Sequence, residues 1–276
     1  MDMITNIMSV DLEDFYIRSP FNTWDNFESR IVEPTNFLLD IFEKNKVEAT
    51  FFTLGYIAER HPELIEKIVS KGHEISSHSY SHREVKNLSK KEFEEDLVRS
   101  ISIIKKVAGE EPLGFRAPRF SITKETFWAF DILRKYLKYD SSILPVSHVQ
   151  YGIPSAPKMV YKVSADNPLM EDEKSNFMEL PLATLQIFGV GNIPIAGGFW
   201  LRFFPVSLIN WGIKKLNDKK INATFYIHPH DLDSKKPKIQ GYPWHLYWNL
   251  SESRKKVESV IRNFKFSSVR SSILNK

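Results

Sequence analysis

Val47-Glu48-Ala49-Thr50-Phe51-Phe52-Thr53-Leu54-Gly55 is β-branched and aromatic up to a closing glycine, a pattern that predicts a buried strand. His61-Pro62-Glu63 then opens a helix with Leu64, Ile65, Ile68 and Val69 on one face, and Gly72 stands where that helix should stop. The next segment, Glu74-Ile75-Ser76-Ser77, reads as a short strand running straight into His78-Ser79-Tyr80-Ser81-His82. Strand, helix and strand within one short stretch set the period of the chain.

The same alternation extends in both directions. Upstream, the apolar run Ile7-Met8-Ser9-Val10 leads into Asp11-Leu12-Glu13-Asp14, three carboxylates where a buried strand would end. Downstream, Ser89-Lys90-Lys91-Glu92 is a capping box, followed by Phe93, Leu97, Ile101 and Ile104 at helical spacing and closed by Gly109. A short segment from Leu113 to Arg116, a helix from about Lys124 to Leu137 and a strand from Ala223 to Ile227 complete the pattern. No linker or low-complexity break interrupts it, so residues 1–276 are expected to form a single catalytic domain. Its class is α/β, with a parallel sheet, open or closed into a barrel. In such folds functional side chains gather at the C-terminal ends of strands, where the acidic cluster, the histidine pair, Arg116 and His228 all fall.

Composition narrows the chemistry. At 276 residues, 42% hydrophobic and 26% charged, the chain can bury a sizeable core. Its formal charge of +4 arises from scattered basic pairs such as Arg134-Lys135, Lys214-Lys215 and Lys235-Lys236, a solvated face rather than a nucleic-acid footprint. No run of eighteen apolar residues is present, and Met1 to Ile7 carries no basic region followed by an apolar stretch. Neither a membrane span nor a secretory signal is therefore expected, and the cytoplasm is the default location. The sequence is silent on oligomeric state. With no cysteines, His, Asp and Glu are the strong metal donors left. His78 and His82 alone are also compatible with structural histidines. Joined by a carboxylate from the first motif, they form a common catalytic zinc set that leaves one position open.

Taken in order, Ala49-Thr50-Phe51-Phe52 to Gly55, His61-Pro62-Glu63, Gly72-His73-Glu74-Ile75 and His78-Ser79-Tyr80-Ser81-His82 resemble the NodB-type polysaccharide deacetylases, carbohydrate esterase family 4. Phe115-Arg116-Ala117-Pro118, Tyr139-Asp140-Ser141-Ser142 and Ile227-His228-Pro229 resemble that family's later motifs, in the same order. The first motif, the stretch Arg116 to Thr123 and Tyr226-Ile227-His228-Pro229 look most like a cytosolic branch grouped with allantoinase-like deacetylases and associated with exopolysaccharide loci. The resemblance implies a distorted (β/α) barrel of the NodB-homology type that removes N-acetyl groups from a sugar with one divalent metal, usually zinc. It further implies Asp11 as general base, His228 as general acid, and Arg116 as the group that holds Asp11 ionised. A backbone N–H of the Arg119-Phe120 turn would face the developing oxyanion.

Two departures leave choices open. The family's adjacent aspartates are here Asp11, Glu13 and Asp14, so the carboxylate ligand is Glu13 if the strand continues and Asp14 if a turn begins at Leu12. The aspartate that partners the catalytic histidine is replaced by Ile143, which leaves Asp140 or Asp231 as substitutes and predicts a less basic His228. His230 is an alternative acid. Glu179 reads as a structural strand-end carboxylate, and Tyr242, Trp244, Tyr247 and Trp248 as core or rim packing. Phe199-Trp200, after Gly197-Gly198, is the better candidate to line a sugar cleft. Two other functions stay in view: hydrolysis of another C–N bond, such as that of a cyclic ureide or imide, and a catalytically inactive sugar-binding homologue.

Overall fold

The structure, a computed structural model, describes residues 4–148 and 151–274. The chain begins β1 (Thr5–Leu12), α1 (Val32–Asn45), β2 (Thr50–Thr53), α2 (Gly55–Arg60), α3 (Pro62–Ser70), β3 (Glu74–Ser77), α4 (Lys90–Ala108) and β4 (Gly114–Phe115). It continues α5 (Trp128–Tyr136), β5 (Tyr139–Asp140), β6 (Tyr161–Lys162), β7 (Met178–Glu179), β8 (Thr184–Ile187), β9 (Gly191–Pro194) and α6 (Gly198–Phe203). Last come α7 (Val206–Asp218), β10 (Thr224–Ile227), α8 (Ser253–Asn263) and β11 (Lys265–Ser267). The main sheet runs β10-β1-β2-β3-β4-β5-β7-β6, with β11 also paired to β1, and β8-β9 is a separate hairpin. The fold is mixed α/β. Lys124 to Leu137, expected as one helix, divides into a 3₁₀ turn (Lys124–Thr126) and α5.

The chain packs as two compact units, one drawn from residues up to Phe51, Lys67–Glu74 and Ile195 onward, the other from Phe52–Glu66 and Ile75–Pro194. In the first unit β1 pairs in parallel with β10 and β11, and from Asn6 on every residue of β1 is buried. Helices α1, α7 and α8 supply buried Leu38, Phe42, Ile209, Ile213, Val257 and Ile261 to its core. Val10 lies opposite Ile227, so the next residues, Asp11 and His228, leave the C-terminal edge of a parallel pair together. In the second unit β3, β4, β5 and β7 are parallel, with Ser77 opposite Phe115, Phe115 opposite Asp140, and Asp140 opposite Glu179. That register brings His78, Arg116 and Ser141 out at one edge of the sheet. Behind it, Phe93 and Leu97 of α4, Phe130 and Leu133 of α5, and Phe115, Ile143 and Phe177 form a single apolar cluster.

The capping box at α4 is present as the sequence requires: Ser89 accepts from the Glu92 amide at 3.2 Å, while the Ser89 amide donates to Glu92 at 2.9 Å. Gly109 ends the helix at φ +77°, in the left-handed region. Among the described residues no helix is long and apolar enough to cross a membrane. Ser89→Ala should leave the site intact and destabilise the protein by about 1 kcal/mol. In urea unfolding this would read as a lower midpoint with an unchanged slope.

Candidate active site

In the second unit, the loop after β3 is set by backbone conformation as much as by side chains. Ser79 (φ +67°) and His82 (φ +56°) both occupy the left-handed region, which costs of order 1–3 kcal/mol at a non-glycine residue unless the surroundings over-determine it. Here they do. Asp96 of α4 accepts from the Tyr80 amide and the Ser81 hydroxyl, both at 2.8 Å. Ser100 donates to the Ser79 carbonyl at 3.1 Å, and the His82 amide donates to Ser79 Oγ at 3.0 Å. The imidazoles of His78 and His82, both buried, lie with ring centroids 5.4 Å apart. His78 Nδ1 is 2.6 Å from the Arg116 carbonyl oxygen. A carbonyl only accepts, so Nδ1 is the donor; of the two neutral tautomers this one places the lone pair on Nε2, as a metal ligand needs.

Arg116 itself is fully buried. Its Nε donates to the Ser141 carbonyl at 3.1 Å and an Nη to Ser141 Oγ at 2.9 Å, and the guanidinium lies over the Phe52 ring at 4.1 Å. Arg119 and Phe120 follow at φ +54° and +53°, a strained turn in which the Phe120 amide, expected to face the oxyanion, instead donates to the Ala117 carbonyl at 3.0 Å. Asp140, also fully buried, accepts from the Ser142 amide at 3.0 Å and from its hydroxyl at 2.6 Å, which shapes the loop after β5. Burial pushes Asp140 upward, and burial together with the charge of Asp140 pushes its neighbour Glu179 well above the ordinary carboxylate range; Glu179 accepts from the Ile143 amide at 2.9 Å.

The first unit holds the acidic motif and the late histidines. The Glu13 amide donates to the Asp11 carbonyl at 2.9 Å, a tight turn immediately after β1. The carboxylate of Asp14 turns to the backbone, accepting from the Phe15 amide at 2.8 Å, Ser29 Oγ at 2.6 Å and the Arg30 amide at 2.9 Å. Glu13 and Asp11 instead face imidazoles: His228 Nε2 lies 3.8 Å from Asp11 and 3.9 Å from Glu13, and His230 Nε2 lies 3.8 Å from Glu13. His228 and His230 stack at 4.8 Å, nearly parallel. One ring nitrogen of each of these histidines and a Glu13 oxygen all lie within 4.8 Å of one another, a His/Glu group able to hold a metal.

His228 has a carboxylate partner after all. Its Nδ1 donates to Asp231 Oδ2 at 2.8 Å, and Asp231 is in turn ion-paired to buried Arg202 at 3.1 Å. Burial alone would lower the imidazole pKa, but the bond to Asp231 and the charges of Asp231, Glu13 and Asp11 outweigh it and raise His228 to about 9. The weaker base expected from Ile143 is overturned by this contact. Burial opposes ionisation of Asp231 too, yet Arg202, His230 and His228 hold it well below the usual carboxylate value. His230 goes the other way. Burial, reinforced by Lys236, lowers it to about 4, and the Lys236 ammonium, itself lowered by burial to about 8, sits 3.3 Å from His230 Nδ1.

Gly197 and Gly198, at φ +52° and +54°, start α6 against β10. A Cβ on Gly197 would meet the Tyr226 carbonyl oxygen at 1.8 Å, and one on Gly198 would meet the Tyr226 hydroxyl at 2.7 Å. The close approach that these glycines permit is therefore to β10, and a Gly198 Cβ would also lie 3.5 Å from His228 Cε1. Half-exposed Phe199 stacks on Phe203, and Trp200 on Phe204. Trp244 and Trp248 are exposed and meet edge to face at 5.7 Å, a rim arrangement. Tyr242, Tyr247, Lys236 and His230 line a small cavity of about 10 Å³.

Residues 19–134 match the family model described as polysaccharide deacetylase, and residues 141–274 match a domain of unknown function, DUF3473. The chain is 32% identical over 153 residues to the peptidoglycan deacetylase of Helicobacter pylori, covering 52% of this chain and 50% of that protein. Both comparisons are thus likenesses to polysaccharide deacetylases. The chain spans half or less of the length of the first curated relatives it matches. Among solved structures, a protein from Mycobacterium smegmatis provisionally described as a polysaccharide deacetylase aligns over 96% of this chain and 88% of its own, at 19% identity and a TM-score of 0.59. A CE4 family pseudoenzyme from Bacillus anthracis aligns over 97% and 65%, at 14% identity and a TM-score of 0.51. These likenesses show the fold, a mixed α/β architecture with a curled parallel sheet, and a pseudoenzyme among them makes plain that the fold alone does not carry the activity.

The environment of His228 has a titration signature. In chelator-treated protein, imidazole NMR should place its pKa near 9, and Asp231→Asn should lower it by about one unit or more. Because the folded value is raised above 6.5, the stability this group contributes is fully present below pH 6.5 and is lost as pH rises through about 9. Asp231→Asn should flatten that decline in denaturant titrations across the same window. A decline that survives the substitution would assign it to another group.

Proposed function

We propose that this chain is a divalent-metal-dependent N-deacetylase acting on an N-acetylated sugar of a surface polysaccharide or its precursor. The observation that carries this reading is the opposite preparation of two histidines. His78 has its Nδ1 on a carbonyl, which leaves an Nε2 lone pair for a cation, whereas His228 has its Nδ1 on a carboxylate, which favours the imidazolium with an Nε2 proton to give. One is suited to hold a metal and the other to act as an acid.

On this proposal His78 and His82 hold the ion together with Glu13, because Asp14 is committed to the amides that follow it and to Ser29. The donor set, two imidazoles and a carboxylate without thiolates, suits zinc. When bound, the ion supplies Lewis acidity toward the acetyl carbonyl and lowers the pKa of water. Asp11 takes the proton from the attacking water, and Arg116 is assigned to orient that carboxylate. Within the Arg119-Phe120 turn the amide assigned to the oxyanion is that of Arg119, since the Phe120 amide is bonded to the Ala117 carbonyl. His228 delivers a proton to the departing amine, since a neutral amine is a far better leaving group than its anion. Asp140 orders the loop behind Arg116, and Phe199 and Trp200 offer aromatic surface to the sugar. We assign the protein to the exopolysaccharide-associated branch, to a single catalytic domain and to the cytoplasm, with a lipid-linked or nucleotide-linked precursor as substrate. Activity confined to intact wall polymer would overturn the assignment of substrate and setting.

Metal analysis coupled to acetate release on a panel of N-acetylated saccharides tests the reading. His78→Ala and His82→Ala should each lose stoichiometric zinc, as should Glu13→Gln, while Asp14→Asn should keep the metal and lose stability. Bound metal with no acetate released from any substrate would make the chain a sugar-binding homologue, and turnover of a cyclic ureide or imide alone would make it a different C–N hydrolase. His228→Ala should keep fold and metal but lower kcat by on the order of 10²- to 10⁴-fold on an N-acetyl substrate. It should lose much less on an O-acetyl ester, whose leaving group needs less protonation, and equal losses on both would remove the acid role.

A further inference from the structure

We propose that Glu13, His228 and His230 form a second, inhibitory divalent-cation site, distinct from the one assigned to His78 and His82. The claim that it inhibits rests on the acid role of His228; the claim that it binds does not. Asp231 occupies His228 Nδ1, so Nε2 is the nitrogen turned toward Glu13, at 3.9 Å, and His230 turns its own Nε2 to the same Glu13 oxygen at 3.8 Å. Both Nε2 atoms approach that one oxygen, and the two histidines and Glu13 offer ligand atoms within 4.8 Å of one another. The rings lie nearly parallel, 13° apart, so holding one ion at zinc bond lengths of about 2.0–2.2 Å requires them to turn until their in-plane lone pairs converge on it.

The second ion is weaker than the first for two reasons: it must displace the proton that Asp231 favours on His228 Nε2, and Lys236 opposes it at His230. An ammonium can only donate, so at 3.3 Å from His230 Nδ1 it favours the tautomer with the proton on Nε2, where the ion must bind. Binding requires that tautomer to reverse and Lys236 to move away or release its proton. Once bound, the ion occupies His228 Nε2, so no nitrogen remains to protonate the departing amine.

Equilibrium dialysis with zinc and acetate release together test this. Wild-type protein should bind two equivalents, and zinc beyond the first should lower deacetylation at least tenfold. His230→Gln should bind one equivalent, and its activity, relative to its own value at one equivalent, should not fall with excess zinc. The double variant His78→Ala, His82→Ala should keep the weak site, and Lys236→Met should tighten it several-fold. A single equivalent in wild type, or a weak equivalent undisturbed by His230→Gln, would overturn the site. Two equivalents with activity rising at the second would overturn the inhibition. Dialysis reads the site even if no deacetylase activity is found, so failure of the proposed function and failure of this inference give different results.

Discussion

The ion pair between Arg202 and Asp231 is the contact on which the first unit's half of the site depends. Both side chains are buried, and Arg202 also donates from Nη1 to the carbonyls of His245 and Trp248 at 2.6 and 3.0 Å. Asn249 and Lys256 donate in return to the Arg202 carbonyl. A buried pair of this kind contributes little net stability, because desolvation cancels most of the attraction, but removing one partner costs about 3–5 kcal/mol by stranding the other charge. What the pair provides is position. Asp231 cannot rotate away from Arg202, so its second oxygen stays on His228 Nδ1 and fixes the direction of Nε2.

In the second unit the analogous constraint is a backbone carbonyl. The Arg116 oxygen that accepts from His78 belongs to a residue whose guanidinium is itself tied to Ser141. Side chain and backbone of one residue therefore fix two functional directions. The left-handed backbone at Ser79 and His82 is supported by α4 through Asp96 and Ser100. This gives the capped, amphipathic α4 a purpose beyond packing: the helix buries Phe93 and Leu97 and offers polar groups to the histidine loop.

Where local chemistry dictates structure, the sequence was legible. The strand before His78, the Pro62 start of α3, the Ser89 capping box and the Gly109 stop all lie where pattern and propensity place them. Helix α1 gave no such signal, because its N-cap residue, Ile31, offers no capping side chain. At the first motif, strand alternation grouped Asp11 with Glu13. β1 nevertheless ends at Leu12, and what turns Asp14 aside is the tertiary arrangement of Ser29 and Arg30, which local pattern does not encode. The histidine partner shows the same limit. Reading Ile143 as a lost aspartate suggested a weaker base, whereas the 3₁₀ turn Pro229–Asp231 returns a carboxylate three residues later. Lys236 read as part of a solvated basic pair, and its burial is a property of the fold.

Burial and unlike neighbours explain why adjacent histidines in one cluster shift in opposite directions. Burial lowers both, and at His228 it is outweighed by the bond from Nδ1 to Asp231 and by nearby carboxylates, whereas at His230 it is reinforced by Lys236. A further proton on His230 would add an uncompensated charge in a poorly solvated place, between a cation on Nδ1 and a stacked imidazolium, so His230 stays neutral. His228 takes the proton instead because only its Nδ1 has a carboxylate, and that carboxylate is kept ionised by Arg202. The sequence separates these two imidazoles by a single proline. The difference in their chemistry comes from what the fold sets against each Nδ1, an aspartate in one case and a lysine in the other.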